Sequence, residues 1–525
     1  MGTTRGHLER EVKLGAWPGF RLPDLSVVAE GLKAVPKPDL RLHATYHDTP
    51  DVRLVRSGVT LRHRSGEGWT LKLPSSDENR EVLSRLELTV AGDEAAVPTE
   101  LARLLVSWVR TSALTPVALL HTRRRGLELV DADGLVAAEV VDDEVSVVHG
   151  RRLALRFREV EVELGQGAPM ELLDAVVARL RAAGAGAADP QPKVVRALGP
   201  RAHEPPELEG LELGGDGSAA GVIRTGLAAS VRRLLAHDLG VRLGEDAEDV
   251  HQARVATRRL RSDLRTYGPL LDEGWAKDLR AELRWVASAL GEVRDADVLL
   301  EHLQVGLDGL CPSDAETSEW VVVRLKAERS AARARLLTVL DDRRYAVLLD
   351  RLVDALGPSR LDEVPASPFG SPAVMVPPGP GWLLAEAASP AVEVLPALVR
   401  KPWKRLRRAV KAIDAEGSDD ELHQVRIRAK RCRYAAEVAA LAVGKPARKL
   451  AGAVADLQEV LGDHHDAVVA EAWLRAAVPE LTSAEALVAG QLIAGQREVA
   501  AASRRKWPET WARANRRKLR SWLTG

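Results

Sequence analysis

The pattern of apolar residues changes near residue 200, and this change restricts the chain to two different architectures. Before residue 200, apolar and polar residues alternate in short segments that are separated by turn residues. Such alternation is typical of antiparallel β-strands with one polar and one apolar face. After it, long segments rich in Ala, Leu, Arg and Glu have the spacing of helices. We therefore predict an α+β N-terminal domain over residues 1–200, a Pro/Gly-rich linker over 201–218 and an all-α C-terminal domain over 219–525.

The helical half contains an internal repeat. HQARVATRRLRSDLR begins at His251, and the similar segment HQVRIRAKRCRYAAE begins 172 residues later at His423. LGEVRDAD and LGDHHDAV match farther along the chain at an offset of 171 residues. Two matches at nearly the same offset indicate a duplicated helical unit. We expect its copies over about 219–356 and 390–525, joined by the Pro-rich segment 357–381.

Composition excludes several classes of protein. The chain has 75 basic and 75 acidic residues, so an anion site must come from a local array of one sign. Two cysteines, Cys311 and Cys432, are too few for a disulfide framework and indicate a reducing compartment. The sequence has neither a signal-like run nor the roughly 18 uncharged apolar residues of a membrane helix. We therefore expect a cytoplasmic protein without membrane contact.

Charged side chains alternate along several predicted strands, and the two signs lie on different strands. The acids lie at Glu9 and Glu11 and over 159–163, and the bases lie over 62–72, at Arg85 and over 123–125. A solvated surface has no reason to separate the signs. A site for a metal–polyanion complex does, because hard cations need carboxylate oxygens and phosphates need cationic donors. We therefore expect these faces to line a polar tunnel whose apolar outer faces are covered by helices.

These segments resemble the CYTH domains, a family also called the triphosphate tunnel metalloenzymes. LEREVKL resembles the family's ExExK signature, and TYHDTPDVRLVRSGVTLRHR resembles its YxDTxxxxLxxxGxxLRxR run. WTLKLP, AEVVDDEV, EVEVEL and PKVVRAL follow in the family's order, and the resemblance covers about residues 7–198. The sequence departs from the family at Pro192, where a serine commonly precedes the lysine.

The resemblance implies an eight-stranded antiparallel β tunnel that hydrolyses or cyclises triphosphate compounds with Mg²⁺ or Mn²⁺. The implied catalytic residues are Lys13, close to the scissile phosphate, and Glu9 and Glu11. The implied metal ligands are Glu9, Glu11, Glu159, Glu161, Glu163 and Asp142, with Asp143 as the alternative to Asp142. The implied substrate-binding residues are Arg62, Arg64, Lys72, Arg85, Arg123, Arg125, Lys193 and Arg196, and the choice among 123, 124 and 125 stays open.

Each helical repeat carries a stripe of basic residues on one helix face. The stripe contains His251, Arg254, Arg258 and Arg261 in the first copy, and His423, Arg426, Lys430 and Arg433 in the second. Residues 251–265 hold five arginines and one acid, so salt bridges within the helix cannot neutralise the stripe. The repeats resemble the conserved-histidine α-helical (CHAD) domain over about 219–525. This resemblance implies a helical bundle that binds inorganic polyphosphate through these residues.

Together these features predict metal-dependent hydrolysis of inorganic triphosphate in the tunnel, with polyphosphate bound by the helical domain. A nucleoside or thiamine triphosphatase and an adenylyl cyclase remain open, because all of these enzymes share the triphosphate. A non-catalytic polyphosphate scaffold explains the acidic residues less well. Basic helices also suit nucleic acid, which is not the partner we expect. No GxxxxGK[ST] loop is present, so the chain is not a P-loop enzyme.

Overall fold

The computed structural model describes residues 5–74, 83–150, 152–209, 217–356, 381–413 and 417–524, with the backbone alone for 5–9, 83–84 and 524. The Glu9 side chain, part of the predicted linker and most of the Pro-rich joining segment therefore lie outside the described residues. The chain divides into two compact units, Met1–Gly210 and Leu211–Gly525.

The N-terminal unit contains nine strands and five short α-helices among its described residues. The strands are β1 (Arg5–Gly15), β2 (Lys33–Pro36), β3 (Leu40–Asp48), β4 (Thr60–Arg64), β5 (Gly68–Pro74), β6 (Leu83–Val90), β7 (Thr115–Val130), β8 (Val136–His149) and β9 (Arg152–Leu164). The helices are α1 (Arg53–Arg56), α2 (Thr99–Leu104), α3 (Val106–Val109), α4 (Met170–Ala182) and α5 (Lys193–Leu198).

Eight of these strands close into a ring. They follow the order β7-β3-β4-β5-β6-β1-β9-β8, every pairing is antiparallel, and β8 pairs again with β7. The short strand β2 pairs with the end of β7 that extends beyond its pairing with β3. The predicted α+β domain with an eight-stranded antiparallel β tunnel is therefore confirmed.

Helix α4 covers one outer side of the ring, as the alternation in the sequence predicts. Val12 and Leu14 of β1 point outward and pack with outward-facing valines of β8 and β9 against Leu173 and Val176 of α4. The residues that alternate with them, Glu11 and Lys13, consequently point into the ring.

The short helix α5 fills one end of the ring. Its Val194 and Val195 pack with Ala44, Leu120 and Val145 and with other apolar residues of β3, β7 and β8. Because α5 begins at Lys193, this packing holds the lysine at the border between the apolar plug and the charged interior.

The C-terminal unit consists of helices, as predicted. They are α6 (Ala219–Leu243), α7 (Ala247–Thr266), α8 (Glu273–Asp308), α9 (Pro312–Thr317), α10 (Glu319–Asp341), α11 (Arg343–Asp354), α12 (Ala391–Ala412), α13 (Asp419–Val443), α14 (Lys445–Ala477), α15 (Ser483–Ala514) and α16 (Arg517–Arg520). Side-chain caps mark several starts, including capping boxes at Ser418 and Thr482. Within the described ranges, no helix combines the length and apolar character required to cross a membrane.

The two repeats place equivalent contacts on equivalent helices. In the first, Arg254 of α7 contacts Asp295 of α8 at 2.9 Å between Nη1 and Oδ1. In the second, Arg426 of α13 lies 3.5 Å from Asp466 of α14 between Nη2 and Oδ1. These four residues occupy matching positions in the two repeated motifs.

Candidate functional site

The ring encloses a cavity of about 280 Å³ that is lined mostly by charged side chains. The predicted residues that line it are Glu11, Lys13, Arg62, Arg64, Lys72, Arg85, Glu161, Glu163 and Lys193. They come from five strands and one helix. They meet because alternate residues of each strand point inward.

The strand order separates the two signs of charge. The bases Arg62 and Arg64, Lys72 and Arg85 come from the consecutive strands β4, β5 and β6. Most of the acids, namely Glu11, Glu139, Glu161 and Glu163, come from β1, β8 and β9, which follow next around the ring, whereas Glu67 and Glu87 lie among the bases and pair with Arg64 and Lys72. The cavity therefore has one wall rich in bases and one wall rich in acids.

Three carboxylate residues lie side by side on the acidic wall. In the strand register Glu11 is paired with Glu163, and Glu163 is paired with Glu139. Sequence reasoning missed Glu139, although it has the same strand parity as Asp143 in the segment AEVVDDEV. Its position opposite Glu163 becomes visible only with the register of β8 and β9.

Two lysines bind the buried carboxylates. Lys13 Nζ donates hydrogen bonds to Glu11 Oε2 at 3.0 Å and to Glu161 Oε1. Lys193 Nζ lies 2.8 Å from both Glu159 Oε1 and Glu161 Oε1 and 3.0 Å from Asp143 Oδ2. Asp143 and Glu159 have no exposed surface. These acids therefore depend on neighbouring cations instead of water.

The lysines set the protonation state of this wall. Burial alone raises the pKa of Glu161, but the charges of Lys13 and Lys193 outweigh burial and hold that pKa well below its usual range. Burial lowers the pKa of Lys13, and Glu11 and Glu161 more than reverse this effect, so the pKa of Lys13 is raised. Lys13 and Glu161 are consequently both charged at neutral pH.

The structure corrects the predicted contribution of Asp142. Its carboxylate accepts hydrogen bonds from Arg158 Nε and Nη2 at 2.7 and 2.6 Å, away from the cavity. Asp143 instead faces inward and contacts Lys193. Val140 and Val141 precede this acidic pair and lie on opposite faces of the strand, so the sequence alone does not show which of the two acids points inward.

The predicted contribution of Arg123 and Arg125 is corrected for the same reason. Their side chains are 51% and 37% exposed, and both approach Asp39 outside the ring. Arg124 lines the cavity and donates to both carboxylate oxygens of Asp143 at 2.8 and 2.7 Å. Because the three consecutive arginines occupy both faces of the strand, the sequence alone does not show which of them points inward.

Glu159 and Arg196 lie behind the cavity instead of lining it. Arg196 Nη1 is 3.2 Å from Glu159 Oε2, and its Nη2 donates to Asp189 at 2.5 Å. The guanidinium also lies 5.0 Å from the centre of the Phe157 ring. These contacts give Arg196 a role in holding Glu159 and Lys193 in place.

The donor chemistry of the acidic wall suits a hard divalent cation. Glu11 is 3% exposed, and its Oε1 is buried without a hydrogen-bond partner. Glu163 and Glu139 supply further carboxylates beside it. Within the described part of the chain, no three His, Cys, Asp or Glu residues are gathered for one metal ion. The carboxylates of the acidic wall are therefore of the type that binds a divalent metal, but the described residues do not form a complete coordination sphere around one point.

A second charged cluster lies where the two helical repeats meet. Arg254 and Arg258 of α7 approach Arg426 and Lys430 of α13, which are their counterparts in the other repeat. Burial, followed by the charges of the three arginines, lowers the pKa of Lys430 to about 7. We call these four residues the repeat junction.

The predicted histidines border the repeat junction as neutral groups. Burial and the charge of Arg294 lower the pKa of His251, and burial and the charge of Arg426 lower that of His423. The His423 ring lies 4.1 Å from the ring of His465, measured between centroids. These imidazoles are therefore suited to hydrogen bonding with an anion more than to carrying charge.

The ends of the predicted stripes do not join the repeat junction. Arg261 lies beside Arg280 and Arg284, whose charges add to burial in lowering its pKa. Arg433 Nε donates to Glu437 Oε1 at 2.7 Å. A helix segment from residue 251 to 265 is about 21 Å long. Two packed helices therefore bring only part of their basic stripes close to each other.

Replacement of Lys193 tests the network on the acidic wall. We expect Lys193→Met to destabilise β8 and β9 by about 3–5 kcal/mol at pH 7, because three buried carboxylates lose a cation. Hydrogen exchange of these strands in the full chain measures the effect. Lys193 keeps the pKa values of Asp143 and Glu161 low, so its stabilisation exists above the unfolded carboxyl pKa of about 4. The deficit should therefore shrink as the pH falls below that value and through the lowered pKa values of the folded state.

Lys37→Met is the matched control. Lys37 Nζ also contacts two carboxylates, Glu128 and Glu139, each at 2.9 Å, but its side chain is 32% exposed. We expect this change to cost less than about 1 kcal/mol. Equal effects of the two substitutions would contradict the importance of the buried network.

Comparison with known proteins assigns each unit separately. The CYTH domain model matches residues 7–188, and the CHAD domain model matches residues 225–475. The chain is 33% identical over 500 residues to the uncharacterized proteins MT2285 and Rv2226 of Mycobacterium tuberculosis, covering 89% of this chain and 88% of each relative. PptA from Streptomyces chartreusis is 23% identical with a TM-score of 0.44, covering 56% of this chain and 99% of PptA. The CHAD domain from Ricinus communis is also 23% identical, with a TM-score of 0.41, covering 56% of this chain and 94% of that domain.

Proposed function

Because the chain belongs to the family of proteins that join a CYTH domain to a CHAD domain, we propose that its tunnel hydrolyses inorganic triphosphate. The reaction uses Mg²⁺ or Mn²⁺, and the helical unit binds inorganic polyphosphate. The observation that carries the tunnel assignment is the basic wall facing an acidic wall inside one closed ring of strands. This arrangement supports binding of a polyanion together with a cation.

The basic wall holds the phosphate chain in this proposal. Arg62, Arg64, Lys72 and Arg85 supply donors from three neighbouring strands, which suits a linear anion with several phosphates. Burial and the charge of Arg62 lower the pKa of Arg64, so an anion near this pair relieves repulsion. Phosphoryl transfer needs mainly positioning and charge neutralisation.

The acidic wall holds the cation through Glu11, Glu139 and Glu163. A bound divalent metal neutralises phosphate charge and lowers the pKa of coordinated water. Lys13 stays protonated because its pKa is raised, so it acts as a cation near the reacting phosphate and not as a base. Lys193 and Arg124 keep Glu161 and Asp143 ionised and in place.

The lining favours inorganic triphosphate over a nucleotide or thiamine compound. Tyr46 is the single aromatic side chain among the described residues around the cavity. A base or thiazole ring would therefore find little stacking surface inside the ring. The cavity of about 280 Å³ also suits a short inorganic chain.

A phosphate-release assay tests the reaction and its substrate. We expect turnover of inorganic triphosphate with Mg²⁺ or Mn²⁺ and none with EDTA. ATP, thiamine triphosphate and long-chain polyphosphate should be poorer substrates. Faster turnover of ATP or thiamine triphosphate would assign the organic substrate instead. Absence of turnover for all four would leave a binding protein.

Replacing adjacent arginines tests which face of β7 serves the substrate. Arg124→Gln should lower kcat/KM for triphosphate by at least about 100-fold, the scale of a lost electrostatic group in an active site, because Asp143 and Glu161 lose a cation that holds them in place. Arg123→Gln, on the outer face, should change it less than about twofold. Measurement on protein with unchanged circular dichroism separates this effect from unfolding. The reverse order of effects would overturn the inward placement of Arg124.

Polyphosphate binding at the repeat junction is argued from charge. Arg254, Arg258, Arg426 and Lys430 gather four bases, and the acids beside them are Asp295 and Asp466. The excess of positive charge persists in a partly buried place, where a phosphate chain contacts both repeats at once. Release of counterions then makes binding strongly salt-dependent.

The protonation of Lys430 gives this site a distinctive pH dependence. Its pKa of about 7 means that the ammonium form predominates below neutrality and declines above it. Polyphosphate affinity of the full chain, measured with a tunnel inactivated by Arg124→Gln, should therefore fall several-fold from pH 6 to pH 8. Lys430→Arg should bind with little pH dependence, because a guanidinium remains charged. The same pH profile in both proteins would contradict a role for Lys430.

A further inference from the structure

A cavity of about 650 Å³ lies in the helical unit, between the end of α7 and the helices α12 and α13. Its basic lining residues are Arg265, Lys401, Arg405, Arg408, Arg428 and Arg431. Among the described residues no acid lines it, and it shares no lining residue with the tunnel or the repeat junction. The predicted roles therefore leave this cavity unexplained.

The spacing of basic residues along α12 places three of them on the helix face that lines this cavity. Trp403, Leu406 and Val410 form the buried side of the helix. Lys401, Arg405 and Arg408 follow one another at intervals of four and three residues and lie on one face. The basic run of the sequence around residues 400–411 is thereby sorted into a packed face and a cationic face.

These cations lack acidic partners in the described structure. Arg428 Nη1 donates to the carbonyl oxygen of Gln424 at 3.1 Å, within its own helix. The other five basic residues make no ion pair and no side-chain hydrogen bond to any described residue. Burial, with the charges of Arg431 and three further arginines, lowers the pKa of Arg265 to about 10. An anion in the cavity would remove this repulsion.

Most of the remaining lining is apolar, apart from Ser262 and Thr266, which distinguishes the cavity from a site for an inorganic chain. The apolar lining residues are Pro269, Ala397, Leu398, Pro402 and Ala409. Inorganic polyphosphate has no apolar surface to place against them. Ser262 adds a directed polar group, since it is 8% exposed, lines the cavity and has an Oγ without a hydrogen-bond partner. The volume falls in the ordinary range for small-molecule pockets.

We propose that this cavity binds a small organic phosphate of the nucleoside di- or triphosphate class. The phosphates contact the arginines of α7, α12 and α13, and Ser262 donates a further hydrogen bond. The organic part of the ligand lies against the aliphatic wall formed by Leu398 and its neighbours. The ligand therefore differs in class from the substrate proposed for the tunnel.

Calorimetric titration of the full chain with ATP and with inorganic triphosphate, without metal, tests this assignment. The protein carries Arg62→Gln and Arg124→Gln in the tunnel and Arg254→Gln and Arg426→Gln at the repeat junction, which removes competing sites. We expect ATP to bind one site at least about tenfold more tightly than triphosphate. Adding Arg265→Gln and Arg431→Gln should weaken ATP binding at least about tenfold. The control Arg448→Gln, at an exposed position of α14, should not weaken it.

A second variant separates ligand binding from folding. Ala409→Glu introduces one carboxylate into the cationic cavity without removing any existing contact of the arginines. It should abolish ATP binding while leaving the melting temperature unchanged or higher. Equal affinity for triphosphate and ATP would overturn the organic phosphate, and undiminished ATP binding by Ala409→Glu would overturn the location. Neither result bears on hydrolysis in the tunnel, which the phosphate-release assay measures in the unmodified chain.

Discussion

The buried ion network around Glu161 is the interaction on which the rest of the tunnel depends. Glu161 binds Lys13 from the first strand and Lys193 from the helix that plugs the ring. It therefore ties together two segments separated by 180 positions of sequence. Burying several carboxylates is costly unless cations are fixed beside them, and α5 places one such cation where the apolar plug ends. The packing of α5 and the charge balance of the cavity thus require each other.

The same network explains how the cavity prepares for a charged ligand. In the structure the lysines already neutralise the inner carboxylates, while Glu11 keeps one buried oxygen without a partner. In the function proposed above, a cation and a polyanion entering together would bring both signs of charge, and the walls would exchange some internal contacts for ligand contacts. Preorganised charges of this kind lose little free energy to reorganisation.

In the helical unit, in contrast to the tunnel, the charges of clustered bases are not fully neutralised by neighbouring acids among the described residues. At the repeat junction and in the cavity beside α12, bases outnumber the acids near them. Repulsion raises the free energy of the ligand-free protein, and an anion relieves it. Duplication accounts for the first of these sites, because Arg254 and Arg426 are equivalent residues that meet across the repeats. In the cavity beside α12, Lys401 and Arg405 contribute a large part of the positive charge.

The local pattern of the sequence determined the architecture and the chemical character of the sites. Alternation in β1 and in β9 shows that Glu11 and Glu161 each lie on the face of their own strand opposite to their valine neighbours, because side chains alternate along any strand. The constant offset between repeats likewise needs no coordinates. Both features are read from the sequence without knowledge of strand pairing or helix packing.

Tertiary structure alone decided which member of an ambiguous run reaches a site. Arg124, not its neighbours, faces inward because the pairing of β7 with β3 and β8 sets the parity that three arginines conceal. The register of β8 likewise selects Asp143 and brings Glu139 beside the other carboxylates. The helical stripe divides because packed helices stay close over only part of their length, which separates Arg258 from Arg261. Periodicity is a property of one segment, whereas register and helix crossing depend on a partner that is distant in the sequence.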